Sequence, residues 1–128
     1  IYTTDQGRSW SYAELLNKTP MTDGRLYTSY CFEDECVAAG EVGSHYDDYH
    51  RLPLIMFSID KGKTWDKATI KDINSDDRGV VNAVNCLTVD KCIAAGSVIL
   101  ADKKKKQLIM LTSRDGGRYW QPNYNITN

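Results

Sequence analysis

The chain has 128 residues, 41% hydrophobic and 26% charged, with a net charge of −1. That length suits one domain with a moderate core. The near-neutral balance supplies no basic field for nucleic acid or anionic lipid, and no run approaches the ~18 apolar residues of a membrane span.

Eight Tyr, three Trp and nine Gly against three Pro lean toward strands and turns. The chain opens on Ile1, not Met, which reads as a processed or excised product with any targeting segment out of view. Residues 1–16 read as a hairpin around the turn Asp5-Gln6-Gly7. Apolar runs broken by turn signals then predict strands over 24–32, 35–43, 52–59 and 64–70. A second set follows over 79–88, 91–100, 107–112 and 118–124, and no helix is needed.

The two sets are copies. Thr3-Thr4-Asp5-Gln6-Gly7-Arg8-Ser9-Trp10, Ser58-Ile59-Asp60-Lys61-Gly62-Lys63-Thr64-Trp65 and Ser113-Arg114-Asp115-Gly116-Gly117-Arg118-Tyr119-Trp120 align, with their aspartates 55 residues apart both times. Between them, Cys31 to Gly40 answers to Cys86 to Gly96, the second copy one residue longer between its cysteines, and Gly24 answers to Gly79. The pattern Ser/Thr-x-Asp-x-Gly-x-Thr/Ser-Trp resembles the Asp box of BNR-type β-propellers: bacterial sialidases, sortilin-type receptors and photosystem II assembly factors. The strand Cys36-Val37-Ala38-Ala39-Gly40 ahead of a box is closest to the assembly-factor type. The expected fold is all-β, with antiparallel four-stranded propeller blades. About two and a half blades are expected: a C–D hairpin at 1–16, a first full blade at 17–71 and a second at 72–128. A closed ring needs about four or more blades. The rest are expected from a longer parent chain or from further copies in a homo-oligomer.

The box reads as structure. Asp5, Asp60 and Asp115 can accept turn N–H groups, Gly7, Gly62 and Gly117 can take positive φ, and Trp10, Trp65 and Trp120 carry apolar surface that must be covered. Ser58 and Thr64 can brace the strand ends, whereas Tyr119 replaces the usual hydroxyl residue in the third box. The cysteines pair as Cys31/Cys36 and Cys86/Cys92. Zinc is the competing reading, but the spacings are long for a zinc knuckle and no His accompanies either pair. Opposed positions near the end of an antiparallel pair favour disulfides, and disulfides imply an oxidising, extracytoplasmic space, secreted or periplasmic.

The loops that differ between repeats are 44–51 and 101–106. In sialidase-like propellers the end opposite the boxes is the binding face, which the resemblance implies for these loops. His45, Tyr46, Asp47, Asp48, Tyr49, His50 and Arg51 are the candidate binding residues. Their His and Asp suit a divalent metal in type but match no ligand spacing, so no metal and no cofactor are expected. The lysine run 103–106 reads as a solvated tip, and the sequons at Asn17 and Asn125 bear only on a eukaryotic secretory route. Arg51-Leu52-Pro53 is similar to the Arg-Ile-Pro of sialidases but opens the strand that leads into a box, and is taken as coincidence. No assembled catalytic set emerges, and whether the chain is an enzyme stays open. The leading expectation is a non-enzymatic scaffold that binds a protein or a glycan, without nucleic acid or membrane. The alternative is a piece of a sialidase-like glycosidase, with Arg25, Arg51 and Arg78 near the presumed face.

Overall fold

The computed structural model describes residues 1–15, 24–43, 51–74, 76–88, 90–101 and 105–123. Ten strands follow in chain order: β1 Glu14–Leu15, β2 Gly24–Phe32, β3 Glu35–Gly43, β4 Arg51–Ser58, β5 Thr64–Lys67, β6 Thr69–Ile70, β7 Arg78–Thr88, β8 Lys91–Ile99, β9 Lys106–Ser113 and β10 Tyr119–Asn123. The chain is all-β, and the described residues contain no helix. Two five-stranded sheets form, in the orders β1-β5-β4-β3-β2 and β6-β10-β9-β8-β7.

In each sheet four strands run as an antiparallel meander from one repeat, and the fifth is lent by the repeat before. Glu14–Leu15 pairs in parallel with Thr64 and Trp65, and Thr69–Ile70 pairs in parallel with Tyr119 and Trp120. The expected strand 64–70 is therefore divided. Ala68 still donates its N–H to the Ile55 carbonyl at 2.8 Å, but Thr69 and Lys71 donate to Arg118 and Trp120 of the second sheet, each at 2.9 Å. The small, buried Ala68 sits where the chain changes sheets. The expected opening hairpin appears as a single antiparallel bridge, Tyr2 to Ser11, followed by the edge strand β1.

Strands β2 and β3 keep the expected bounds because Gly24, the Glu33-Asp34 turn and Gly43 punctuate them. Glu33 takes a positive φ of 55° in that turn. The edge strands β2 and β7 are irregular, with register shifts between Leu26 and Thr28 and between Val81 and Ala83. Such bulges re-aim an edge strand and blunt it against pairing with another chain.

Alternation puts Val37, Ala39 and Ile55 on one face of the first sheet and Ala38, Val42, Leu54 and Met56 on the other. The first face joins Val81, Val84, Val98, Ile109, Leu111 and Trp120 in the main core. Val42, Leu54 and Met56 form a smaller cluster capped by Leu52 and Trp65. Both faces of the first sheet thus exclude water. The second sheet is covered on one face only: Leu108, on its outer face, is 79% exposed.

Candidate functional site

The ends of the sheets differ in chemistry. At one end lie the box turns and the cysteine pairs. In the second box Asp60 Oδ1 accepts the Thr64 N–H at 2.9 Å and the Ser58 hydroxyl at 2.8 Å, and Oδ2 accepts the Thr64 hydroxyl. The Ser58 oxygen in turn accepts the Gly62 N–H at 2.8 Å. The first box repeats this network with Thr3, Asp5, Gly7 and Ser9. The third keeps the Ser113 brace and the Tyr119 N–H bond to Asp115, but Tyr119 has no hydroxyl at the position that serves Oδ2 elsewhere.

Gly7, Gly62 and Gly117 have φ of 89°, 88° and 92°, and the preceding Gln6, Lys61 and Gly116 are also positive. Two successive positive-φ residues are what a type I′ hairpin turn requires. In every box the tryptophan Nε1–H donates to the carbonyl of the box glycine, at 3.1, 2.8 and 2.8 Å. That bond was not expected from sequence, although the fixed Gly-to-Trp spacing of three is its trace. Donors from Ser9 and from Thr64 hold Asp5 and Asp60, respectively, at about 2, well below the usual carboxylate value. Both carboxylates accept side-chain and backbone donors of their own turns, three bonds apiece among the described residues.

Cys31–Cys36 and Cys86–Cys92 are disulfides across the β2–β3 and β7–β8 pairs at this same end. They fit an oxidising environment. Next to the first of them, Glu35 lies over the third box. Its Oε2 has no hydrogen-bond partner among the described residues, and a Cβ on Gly116 would sit 2.6 Å from it. Burial raises the Glu35 pKa, while the Arg118 guanidinium opposes the rise. Glycine at 116, where the other boxes carry Gln6 and Lys61, leaves room for this side chain.

The opposite end is where β3 hands over to β4. Of the candidate binding residues, His45, Tyr46, Asp47, Asp48, Tyr49 and His50 lie outside the described residues. Arg51 opens β4 and forms an ion pair with Glu41 at 3.6 Å, both side chains more than four-fifths buried. The Tyr27 hydroxyl donates to the same Glu41 carboxylate at 2.9 Å. Glu41 and Tyr27 were not singled out in the sequence: ten and fourteen residues separate them from their partners, and only the sheet register brings them together. One period later the matching positions hold Ser97 and Lys106, so this cluster belongs to the first repeat alone.

Arg25 and Arg78 also stand at strand starts on this end, opposite Glu41 and Ile99 in register. Asp77 fastens the second repeat there, accepting the Asn74 N–H at 2.7 Å and the Ala101 N–H at 3.0 Å from its buried site. A cleft of about 420 Å³ lies where the chain passes from the first sheet to the second, walled by Leu52, Pro53, Ala68, Ile70 and Ile73. Among the described residues, no group of three or more His, Cys, Asp or Glu side chains is placed to hold a metal ion.

A comparison with curated proteins finds no match to the chain. The BNR/Asp-box repeat family model matches residues 1–12, which include the whole of the first box. The match is thus to a BNR/Asp-box repeat at residues 1–12, and turns of the same kind recur around Asp60 and Asp115.

Proposed function

We propose that the chain is a non-enzymatic, propeller-type scaffold that recognises a protein or glycan partner outside the cytoplasm through the end bearing the loop 44–51. The observation that carries this reading is the Tyr27–Glu41–Arg51 cluster at the root of that loop. It is built in one repeat and absent from the equivalent positions of the other. Repeats that share a scaffold and differ at one end place recognition at that end.

The box aspartates favour a structural role, since turn donors already occupy Asp5 and Asp60. The disulfides favour a secreted or periplasmic location. The hydrolase alternative gains nothing from Arg51, whose guanidinium is engaged by Glu41. The blades of a full propeller beyond these two sheets belong to the same proposal.

The test is a glycan array, paired with a pull-down from extracellular fluid, using the intact chain and a Tyr46→Ala/Tyr49→Ala/His50→Ala variant. The expected result is retention of a ligand by the intact chain and its loss in the variant, with unchanged melting. Retention by both would place recognition elsewhere. Turnover of a fluorogenic sialoside would overturn the non-enzymatic reading.

A further inference from the structure

The third box lacks one bond that the other two make. In the first and second boxes, Oδ2 of Asp5 and of Asp60 accepts the hydroxyl of Ser9 and of Thr64. Position 119 is Tyr in the third box, and the donors to Asp115, from Ser113, Arg118 and Tyr119, all go to Oδ1. Among the described residues, Asp115 Oδ2 accepts no bond from its own turn.

A second carboxyl, from the other repeat, lies against this turn. Glu35 opens β3, and its carboxyl group meets Gly116, the residue after Asp115. A Cβ on Gly116 would stand 2.6 Å from Oε2 and 3.3 Å from Oε1. Oε2 is buried there with no hydrogen-bond partner among the described residues. The charges acting on Glu35 are Arg118 and Asp115 of the box turn, Asp90 of the β7–β8 turn and Glu33 of the β2–β3 turn. Only Arg118 among them is a cation, and its guanidinium stands over the Phe57 ring, 5.8 Å from the centre, leaving Oε2 unbonded. A buried carboxylate with no donor and three like charges around it is disfavoured, whereas the neutral acid has an O–H to give. The direction of the Glu35 pKa, raised first by burial, agrees with this geometry. In the second repeat the equivalent position is Lys91, so the arrangement belongs to this one junction.

We propose that Glu35 and Asp115 share one proton across the junction between the repeats. The protonated Glu35 carboxyl donates to Asp115 Oδ2, in the place that the residue-9 and residue-64 hydroxyls fill in the other boxes. The proton comes from solvent, and the pair passes from two negative charges to one. A carboxyl-to-carboxylate bond of this kind is charge-assisted and strong, and the two groups titrate as a unit. The junction is therefore held at its box end by a bond that forms in mild acid. As pH rises through the Glu35 titration the bond is lost and the two carboxylates repel.

Carboxyl carbon-13 titration of the full 128-residue chain by nuclear magnetic resonance tests this, with urea midpoints followed between pH 4 and pH 8. Asp5 and Asp60 stay ionised in that window and do not obscure the effect. Glu35 is expected to titrate above the ordinary glutamate value, and the wild type to lose stability as it does so. Asp115→Asn keeps the Oδ1 acceptor and removes the shared charge, so the Glu35 midpoint falls. Tyr119→Thr is the decisive arm. It returns a hydroxyl to Asp115 Oδ2, displaces Glu35 and lowers the same midpoint without touching the burial of Glu35. Glu35→Gln donates an N–H at every pH, so this part of the pH dependence disappears while stability at pH 7 is kept or gained. A Glu35 midpoint at or below the ordinary value overturns the proposal. So does a midpoint that neither Asp115→Asn nor Tyr119→Thr moves, which would leave burial as its whole cause, or a Glu35→Gln chain that keeps the pH dependence of the wild type.

Discussion

Gly40 and Gly96 follow the two alanines inside β3 and β8, and neither has a positive φ. Their need for glycine is steric. A Cβ on Gly40 would collide with the Arg25 carbonyl oxygen and lie 2.9 Å from the Leu26 Cα. A Cβ on Gly96 would collide with the Val80 carbonyl and lie 2.9 Å from the Val81 Cα. In both repeats the obstacle is backbone beside the bulge of the edge strand, which cannot swing aside as a side chain can. Gly40→Ala is therefore placed at the upper end of the overpacking range, about 3 kcal/mol. At roughly 4 °C per kcal/mol for a chain of this size, the melting temperature falls by about 12 °C. Gly24 is the matched control, since its Cβ would meet nothing nearer than the Glu41 carbonyl at 3.8 Å. Gly24→Ala is expected to be neutral or to gain up to ~1 kcal/mol from a less free unfolded chain. Urea titration and thermal melting followed by circular dichroism measure both. Equal stability of the two variants would refute the bulge argument and leave the repeated glycine unexplained.

Acid should unfold the chain through its boxes. Asp5 and Asp60 are held at about 2, below the value near 3.9 of an unfolded aspartate, so their contribution is full above about pH 4 and is lost as pH falls through 2. Asp60→Asn should flatten that part of a stability-against-pH curve. Glu35, whose pKa burial raises, acts in the opposite sense: its contribution is full below the unfolded value and declines as pH rises, so Glu35→Gln should be neutral or stabilising at pH 7. Non-reducing peptide mapping should recover Cys31–Cys36 and Cys86–Cys92 with no free thiol, and reduction should cost about 2 kcal/mol for each short loop. Trp120→Ala should cost ~3–5 kcal/mol against less than ~1 for Trp10→Ala, by denaturant titration, because only the former is buried.

Much of the fold was legible because the repeat is written in turn chemistry. Asp60, Gly62 and Thr64 act within one hairpin, so seven adjacent residues carry the full instruction. The cysteine pairs were equally local. Position 68 was not legible. The apolar pattern continues through Trp65, Ala68 and Ile70, and periodicity does not say which sheet receives a strand's hydrogen bonds. The same limit hid Glu41 and Tyr27, whose meeting with Arg51 depends on register across three strands. The three tryptophans show the boundary most plainly. Their motifs are near-identical, yet one is exposed and one fully buried, because burial is set by the neighbouring sheet.

The sheet change at Ala68 explains why these repeats need one another. A four-stranded meander has a free outer edge along β5 and another along β10, a liability in any sheet. The chain covers each with two residues from the repeat before, Glu14–Leu15 on the first sheet and Thr69–Ile70 on the second. The pairing sits beside the box tryptophan in both cases, at Trp65 and Trp120. The second and third boxes thus each fix their own turn and receive the edge strand that binds the previous repeat to them. Face packing and edge pairing then act at the same junction. The first sheet buries one face against the second sheet and the other beneath its own Leu52 and Trp65, while the second keeps Leu108 and Ile93 in water.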